Sequence, residues 1–245
     1  MSFDLIVGYH SIHHALENTD RANKEIFATK EGLKKYKSKY QINESNVQFL
    51  DQREIRSVYT KHCVEKGFNS TKLHGDIFLI SDELPELGNA FLYSLIEKKE
   101  SLRLLALDRV TDIHNAAAIL RTAAFYNLDG LILSQKSTLS YTPGFFRIAS
   151  GGFEHVPVMR TPNLSKTLKT LSSKQVTTIG LSEEVENSSL EQKSSWCLVL
   201  GSEEMGLSHA VERSVDEHIC LKSHGKIDSL NVSIAASIAL EKFTH

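Results

Sequence analysis

Three stretches of this sequence carry side chains and glycines of the kind that bind ligands and handle protons. In the first, Asn115 and Arg121 lie six positions apart, and a regular helix would point them away from each other, so Asn115 is expected just before the helix, at its opening. Arg121 is set among Ile119, Leu120, Ala123 and Ala124. A guanidinium in so apolar a helix must reach a partner, because an unpaired buried charge is costly. It is either one half of a salt bridge to another domain or subunit, or a catalytic cation. In the second stretch, Gly201 follows the apolar run "WCLVL", where a missing Cβ serves a plain turn or lets backbone approach a ligand closely. Gly206 lets the chain turn again, and Glu203 between them is either a solvated loop carboxylate or a support for the loop or the arginine. In the third, Ser229 and Asn231 stand where the last helix is expected to open. Short polar side chains there cap free backbone N–H groups, a duty compatible with a place in a site.

Other chemistries lack their residues. There is no G-x-G-x-x-G, and "GSEEMGLS" from Gly201 has the glycine spacing of a phosphate-binding loop but puts Leu207 where the lysine belongs. No H-E-x-x-H, C-x-x-C or G-x-S-x-G occurs, and His10, His13 and His14 have no cysteines or carboxylates at metal spacing, so no metal is expected. The net charge of -2 supplies no general field for a polyanion, so any nucleic acid must be met by local basic patches. One such patch is "KEGLKKYKSKY", with Lys30, Lys34, Lys35, Lys37 and Lys39 interleaved with Tyr36 and Tyr40. It is either a solvated helix face or a surface for single-stranded RNA, with cations for phosphates and rings for bases. Arg147 is a further candidate contact.

Taken in order, "LDRVTDIHNAAAILRTAAFYNLDGLIL" from Leu107, "LVLGSEEMGLS" from Leu198 and "DSLNVSIAASIAL" from Asp228, with "DEHICL" between the last two, resemble the three motifs of the SpoU/TrmH family of RNA 2′-O-methyltransferases. The resemblance implies S-adenosylmethionine as cofactor and a ribose 2′-hydroxyl as acceptor, expected on a guanosine in rRNA or tRNA. It marks Arg121 as essential, with Asn115, Glu203, Ser229 and Asn231 completing the catalytic set. The cofactor would lie against the backbone of Gly201, Leu221 and Leu230, with Gly180 and Leu181 nearby. It further implies a trefoil knot at the carboxyl end and a homodimer formed through that region. "IVGYHSIHHALEN" loosely resembles the ribosomal-protein-like RNA-binding domain of many members. Departures from the family pattern are Ile113 and Ala117 for proline and glycine, Lys222 and Ser223 for Pro-Met, and Phe153 for a small residue. Competing implications are a catalytically silent RNA-binding protein on the same scaffold and a base-directed knotted methyltransferase.

The elements that must position these residues follow from pattern. Strands are expected at "LRLLALD", "GLILS", Val156, "VTTIGLS", "WCLVLGS" and "EHICL", alternating with helices over 114–127, from Asn163 and from Ser229. That rhythm is an α/β fold with a parallel sheet covered on both faces, whose ligands sit in the loops after Asp108, Gly180, Gly201 and Leu221. A smaller α/β domain is expected before it, with strands at "KEIFAT" and "DIFLI" and a helix opened by the capping box Asp51–Glu54. The charged end of "SDELPELGNAFLYSLIEKKES" suggests a boundary near residue 100, giving an RNA substrate-binding domain over 1–100 and a catalytic domain over 101–245. Apolar runs such as 104–107 and 234–240 fall far short of the ~20 residues that span a bilayer. The start of the chain lacks an export signal, and Cys63, Cys197 and Cys220 are spaced as free thiols, so a cytoplasmic location is expected.

Overall fold

The computed structural model describes residues 2–69, 72–135, 139–182, 193–227 and 229–244. Up to Pro85 the elements are β1 (Phe3–Val7), α1 (Tyr9–Glu17), β2 (Glu25–Ala28), α2 (Lys30–Lys37), β3 (Val47–Phe49), α3 (Gln52–Glu65) and β4 (Ile77–Asp82). There follow α4 (Asn89–Lys98), β5 (Arg103–Leu107), α5 (Ile113–Phe125), β6 (Gly130–Ser134), α6 (Pro143–Ala149), α7 (Gly152–His155), β7 (Val158–Thr161) and α8 (Leu164–Ser173). The chain ends with β8 (Thr177–Ser182), β9 (Trp196–Leu200), α9 (His209–Glu212), β10 (Glu217–Cys220) and α10 (Val232–Thr244). They assemble into two compact units, one of residues 1–85 and 140–154, the other of 86–139 and 155–245.

In the first unit the sheet order is β1-β4-β2-β3, with β4 antiparallel to both neighbours and β3 parallel to β2. The capping box forms as expected: the Asp51 side chain accepts from the N–H groups of Arg53 and Glu54, and Glu54 accepts from Asp51 N–H. The basic run forms α2, capped by Thr29. Residues 140–154 complete this unit around a buried ionic network. Arg21, its side chain wholly buried, donates from Nη1 to Asp4 at 2.8 Å and from Nε to Glu154 at 2.8 Å. Phe146 and Phe153 stand over its guanidinium, 5.9 and 5.8 Å from the ring centroids. Phe153, one of the departures, therefore belongs to the packing of Arg21.

The second unit is a six-stranded, wholly parallel sheet in the order β10-β8-β9-β5-β6-β7. The expected parallel α/β architecture is what forms. Every residue of the central strand β9 is buried, as the unbroken apolar run "WCLVL" requires. The division after Pro85 differs from the boundary suggested near residue 100. Leu92 on α4 is buried in the core of the second unit, with Leu87, Phe91, Leu95 and Ile96 packed on it, so the apolar face of that helix outweighs its charged end. Two helix starts also shift. Asp112 takes the cap of α5 by accepting from His114 N–H at 2.8 Å, which places Asn115 inside the first turn rather than before it. Asn231 accepts from Ser233 N–H at 3.0 Å, so the last helix begins at Val232 rather than at Ser229. Among the described residues, no helix is long and apolar enough to cross a membrane.

Burial drives the carboxyl pKa of Asp4 up to about 6, although the adjacent Arg21 pulls the other way. Because the folded value exceeds the unfolded one, the neutral acid favours the fold. This contribution is fully present below about pH 4 and is lost as pH rises through about 6, on the order of 2–3 kcal/mol. Carboxyl carbon NMR should place the Asp4 midpoint near 6, and an ordinary midpoint would contradict the assigned cause.

Candidate functional site

The carboxyl ends of β5, β8, β9 and β10 converge on the loop 201–208. This loop folds on itself: Ser202 N–H donates to Gly206 O at 3.1 Å, and Gly206 N–H returns to Ser202 O at 2.9 Å. A Cβ on Gly201 would lie 2.2 Å from the Gly206 carbonyl carbon, so the glycine is demanded by the loop's own backbone. Gly206 has open space around it but a φ of 59°, a conformation costly to a side chain. Asp108, buried at the end of β5, pins the far side of the loop by accepting from Ser208 N–H at 2.6 Å. Gly180 lies beneath it: a Cβ there would meet Leu207 Cδ1 at 2.8 Å. Gly180 thus makes room for the loop and is not part of the cavity wall.

Within this frame the three sequence stretches meet through one carboxylate. Glu203 Oε1 accepts from Asn115 Nδ2 at 3.0 Å, Asn231 Nδ2 at 2.6 Å and Val232 N–H at 3.2 Å. The same Asn231 amide lies 3.0 Å from Asn115 Oδ1, closing a three-residue ring of hydrogen bonds. Asn115 is buried on α5. Asn231 performs two duties at once, capping α10 with its oxygen and bonding the cluster with its nitrogen. An anion at the start of α10 also suits the positive end of the helix.

Beside the cluster lies a cavity of about 660 Å³, whose wall includes Leu181, Gly201, Glu203, Leu221, Ser229 and Leu230. Four of the five residues expected to hold the cofactor therefore share one surface, the exception being Gly180. Asp228, where the third stretch begins, and residues 183–192 of the loop after Gly180 lie outside the described residues. Ser223, at a departure from the family pattern, ties the turn after β10: its hydroxyl donates to Ile227 O at 2.7 Å and accepts from Gly225 N–H at 3.2 Å. Lys222 joins the wall. Sequence reasoning missed Ser223 and Asp108 as supports, because their partners are set by tertiary turns; the position of Asp108 at a strand end was its only signal.

Arg121 does not join this cluster. It is exposed on α5 and has neither a hydrogen-bond nor an ion-pair partner among the described residues. The expectation of a buried, paired guanidinium fails because the apolar neighbours Ile119, Leu120 and Ala123 turn into the core while position 121 turns out of it. Among the described residues no group of three or more His, Cys, Asp or Glu could hold an ion.

Residues 103–241 match the model of the SpoU rRNA Methylase family. A Staphylococcus aureus (strain COL) protein named for the TrmH family of tRNA/rRNA methyltransferases is 32% identical over 98% of this chain and 95% of its own. Among solved structures, the SpoU methyltransferase AviRb from Streptomyces viridochromogenes superposes with a TM-score of 0.75 at 17% identity, covering 99% of this chain and 89% of that one. AviRb in complex with the cofactor AdoMet gives 0.71 at 17% identity over 98% and 88%. The crystal structure of an RNA 2′-O ribose methyltransferase gives 0.71 at 16% identity over 97% and 86%.

The two loop glycines should respond differently to a methyl group. Gly201→Ala forces backbone apart and should lower the unfolding free energy by ~1–3 kcal/mol, whereas Gly206→Ala meets only backbone strain of about 1–2 kcal/mol. Urea unfolding measures both, and a Gly201→Ala variant as stable as the parent would contradict the loop geometry.

Proposed function

Because this chain belongs to the SpoU rRNA Methylase family of RNA methyltransferases, we propose that it transfers the methyl group of S-adenosylmethionine to a ribose 2′-oxygen, on a guanosine of ribosomal or transfer RNA. The observation that carries this reading is the meeting of Asn115, Glu203 and Asn231 beside a cavity lined by Gly201, Leu221 and Leu230. The wall suits the cofactor. Its volume of about 660 Å³ lies within the ordinary range of small-molecule sites. Leu181, Leu230 and Ile227 offer apolar surface for a purine, Glu203, Glu204 and Glu212 oppose a sulfonium charge, and Lys222 and Lys242 are cations for a carboxylate.

When bound, the cofactor supplies an electrophilic methyl group on a positively charged sulfur. The chain's own task is alignment, which can account for much of the acceleration. Glu203 holds the Asn115 and Asn231 amides in one fixed orientation, and Ser229 in the wall is placed to meet the acceptor nucleotide. A guanidinium stays protonated under ordinary conditions. Arg121 accordingly serves as a clamp on an RNA phosphate and on the oxygen developing negative charge; acting as the transient proton acceptor would require that it first give up its own proton.

The exposure of Arg121 favours a homodimer. On α5 and α10, which pack together, Phe125 is 80% exposed, Ile234 52% and Ile238 39%, an apolar surface suited to a second copy. In such a dimer Arg121 would complete the partner's site. The return of the chain from the edge strand β10 to α5 is compatible with the trefoil knot the family resemblance implies. The unit built on residues 1–85 is read as the RNA-binding part, and the cytoplasm as the place of action.

Nucleoside mass spectrometry of cellular RNA with and without this protein tests the reading. A 2′-O-methylnucleoside, expected to be 2′-O-methylguanosine, should disappear in its absence; loss of a base-methylated nucleoside, or no change, would overturn it. Arg121→Ala should abolish turnover, at least a hundredfold, while binding S-adenosylmethionine as the parent does. Full activity in that variant would refute the assigned role.

A further inference from the structure

The first unit holds a cavity of about 620 Å³ between α1 and the segment 39–46, which the proposed methyl transfer does not use. Its wall carries an aromatic platform: the rings of Tyr40 and His13 stack with centroids 4.1 Å apart and an angle of 23°. The Tyr40 hydroxyl bonds His10 Nδ1, so the platform is held at its edge as well as its face. Leu16, Ile26 and Ile42 supply apolar surface. Gln41, Asn43 and Asn46 bring three amides to the same wall. The Asn43 oxygen is occupied by Ser45 N–H at 3.1 Å, which leaves its NH2 group to donate, and Gln41 has no partner among the described residues.

The charges sort in the same sense. Lys35 and Lys37 are paired with Glu31 and Glu44, whereas Lys39 has no ion-pair partner among the described residues and lies in the wall. Glu17, the acid in the wall, is engaged by His13 at 3.4 Å. The buried Tyr36, its ring 5.3 Å from that of Tyr40, has a hydroxyl without a partner among the described residues. A stacking face, amide donors and acceptors, and one free cation are what a single unpaired nucleotide requires.

We propose that this cavity binds one unpaired nucleotide of the RNA, its base on the Tyr40–His13 platform, its edge read by Gln41, Asn43 and Asn46, and its phosphate met by Lys39. The choice of RNA as ligand rests on the methyltransferase reading. The second unit would then act on RNA already recognised by a single-stranded feature.

Fluorescence anisotropy of the full chain with a fluorescein-labelled single-stranded RNA of mixed sequence, about a dozen nucleotides long, tests this against the same RNA in duplex. The single strand should bind more tightly. Tyr40→Leu should weaken it about tenfold, the size of one lost base stack, with S-adenosylmethionine affinity unchanged. Lys39→Gln and Gln41→Ala, at exposed positions, keep the test independent of folding. Lys39→Gln should reduce the slope of log affinity against log salt by roughly 0.7, one phosphate contact on a single strand. Parent-like binding in all three variants, or preference for duplex, overturns the pocket and leaves methyl transfer standing. Tyr40-dependent RNA binding in a chain that methylates nothing supports the pocket and overturns the methyltransferase reading.

Discussion

One carboxylate oxygen organises the candidate site. Glu203 Oε1 gathers donors from Asn115 and Asn231 and from the backbone of Val232, residues separated by up to 117 positions in the chain. Bonds from several neutral donors to one anion are stronger than bonds between neutral groups, and each limits the orientation of the next. Removing that oxygen would leave the buried Asn115 amide without its acceptor and free the start of α10. The rest of the site depends on the loop that delivers Glu203. That loop closes only because Gly201 lacks a side chain and because Asp108 anchors Ser208 N–H from the neighbouring strand end.

The parallel sheet explains why these parts can meet. Ladder register puts the ends of β5 and β9 side by side, Leu107 opposite Leu200, so Asp108 and Gly201 emerge together. Helices α5 and α10 then pack on one another, linked by Thr122 and Ser237 hydroxyls at 3.3 Å and by Tyr126 and Glu241 at 2.6 Å. The same two helices bring Asn115 and Asn231 to Glu203. Arg121 is left facing outward by the same packing. Asn115 and Arg121 therefore lie on different surfaces of α5, the first buried against Glu203 and the second exposed.

Much of both units could be read from local pattern. Unbroken apolar runs identify β5, β6 and β9, and capping chemistry identifies α3 through Asp51 and Glu54. The three motif stretches carried the residues that meet at the cavity, because their types and spacing are set by that meeting. What escaped the sequence depends on distant partners. β3, with its exposed Gln48 and Phe49, has no apolar run to reveal it. The segment 140–154 joins the first unit through Glu154, whose partner Arg21 is 133 positions away. The burial expected of Arg121 failed for a related reason: apolar neighbours in sequence occupy other faces of a helix.

Titration calorimetry of S-adenosylmethionine into the parent chain and into Glu203→Ala measures what this carboxylate contributes. The parent should bind saturably and the variant at least tenfold more weakly, since the loop and the start of α10 lose their common acceptor. No heat of binding in the parent, or equal affinity in both, would contradict the claim that this carboxylate assembles a cofactor site.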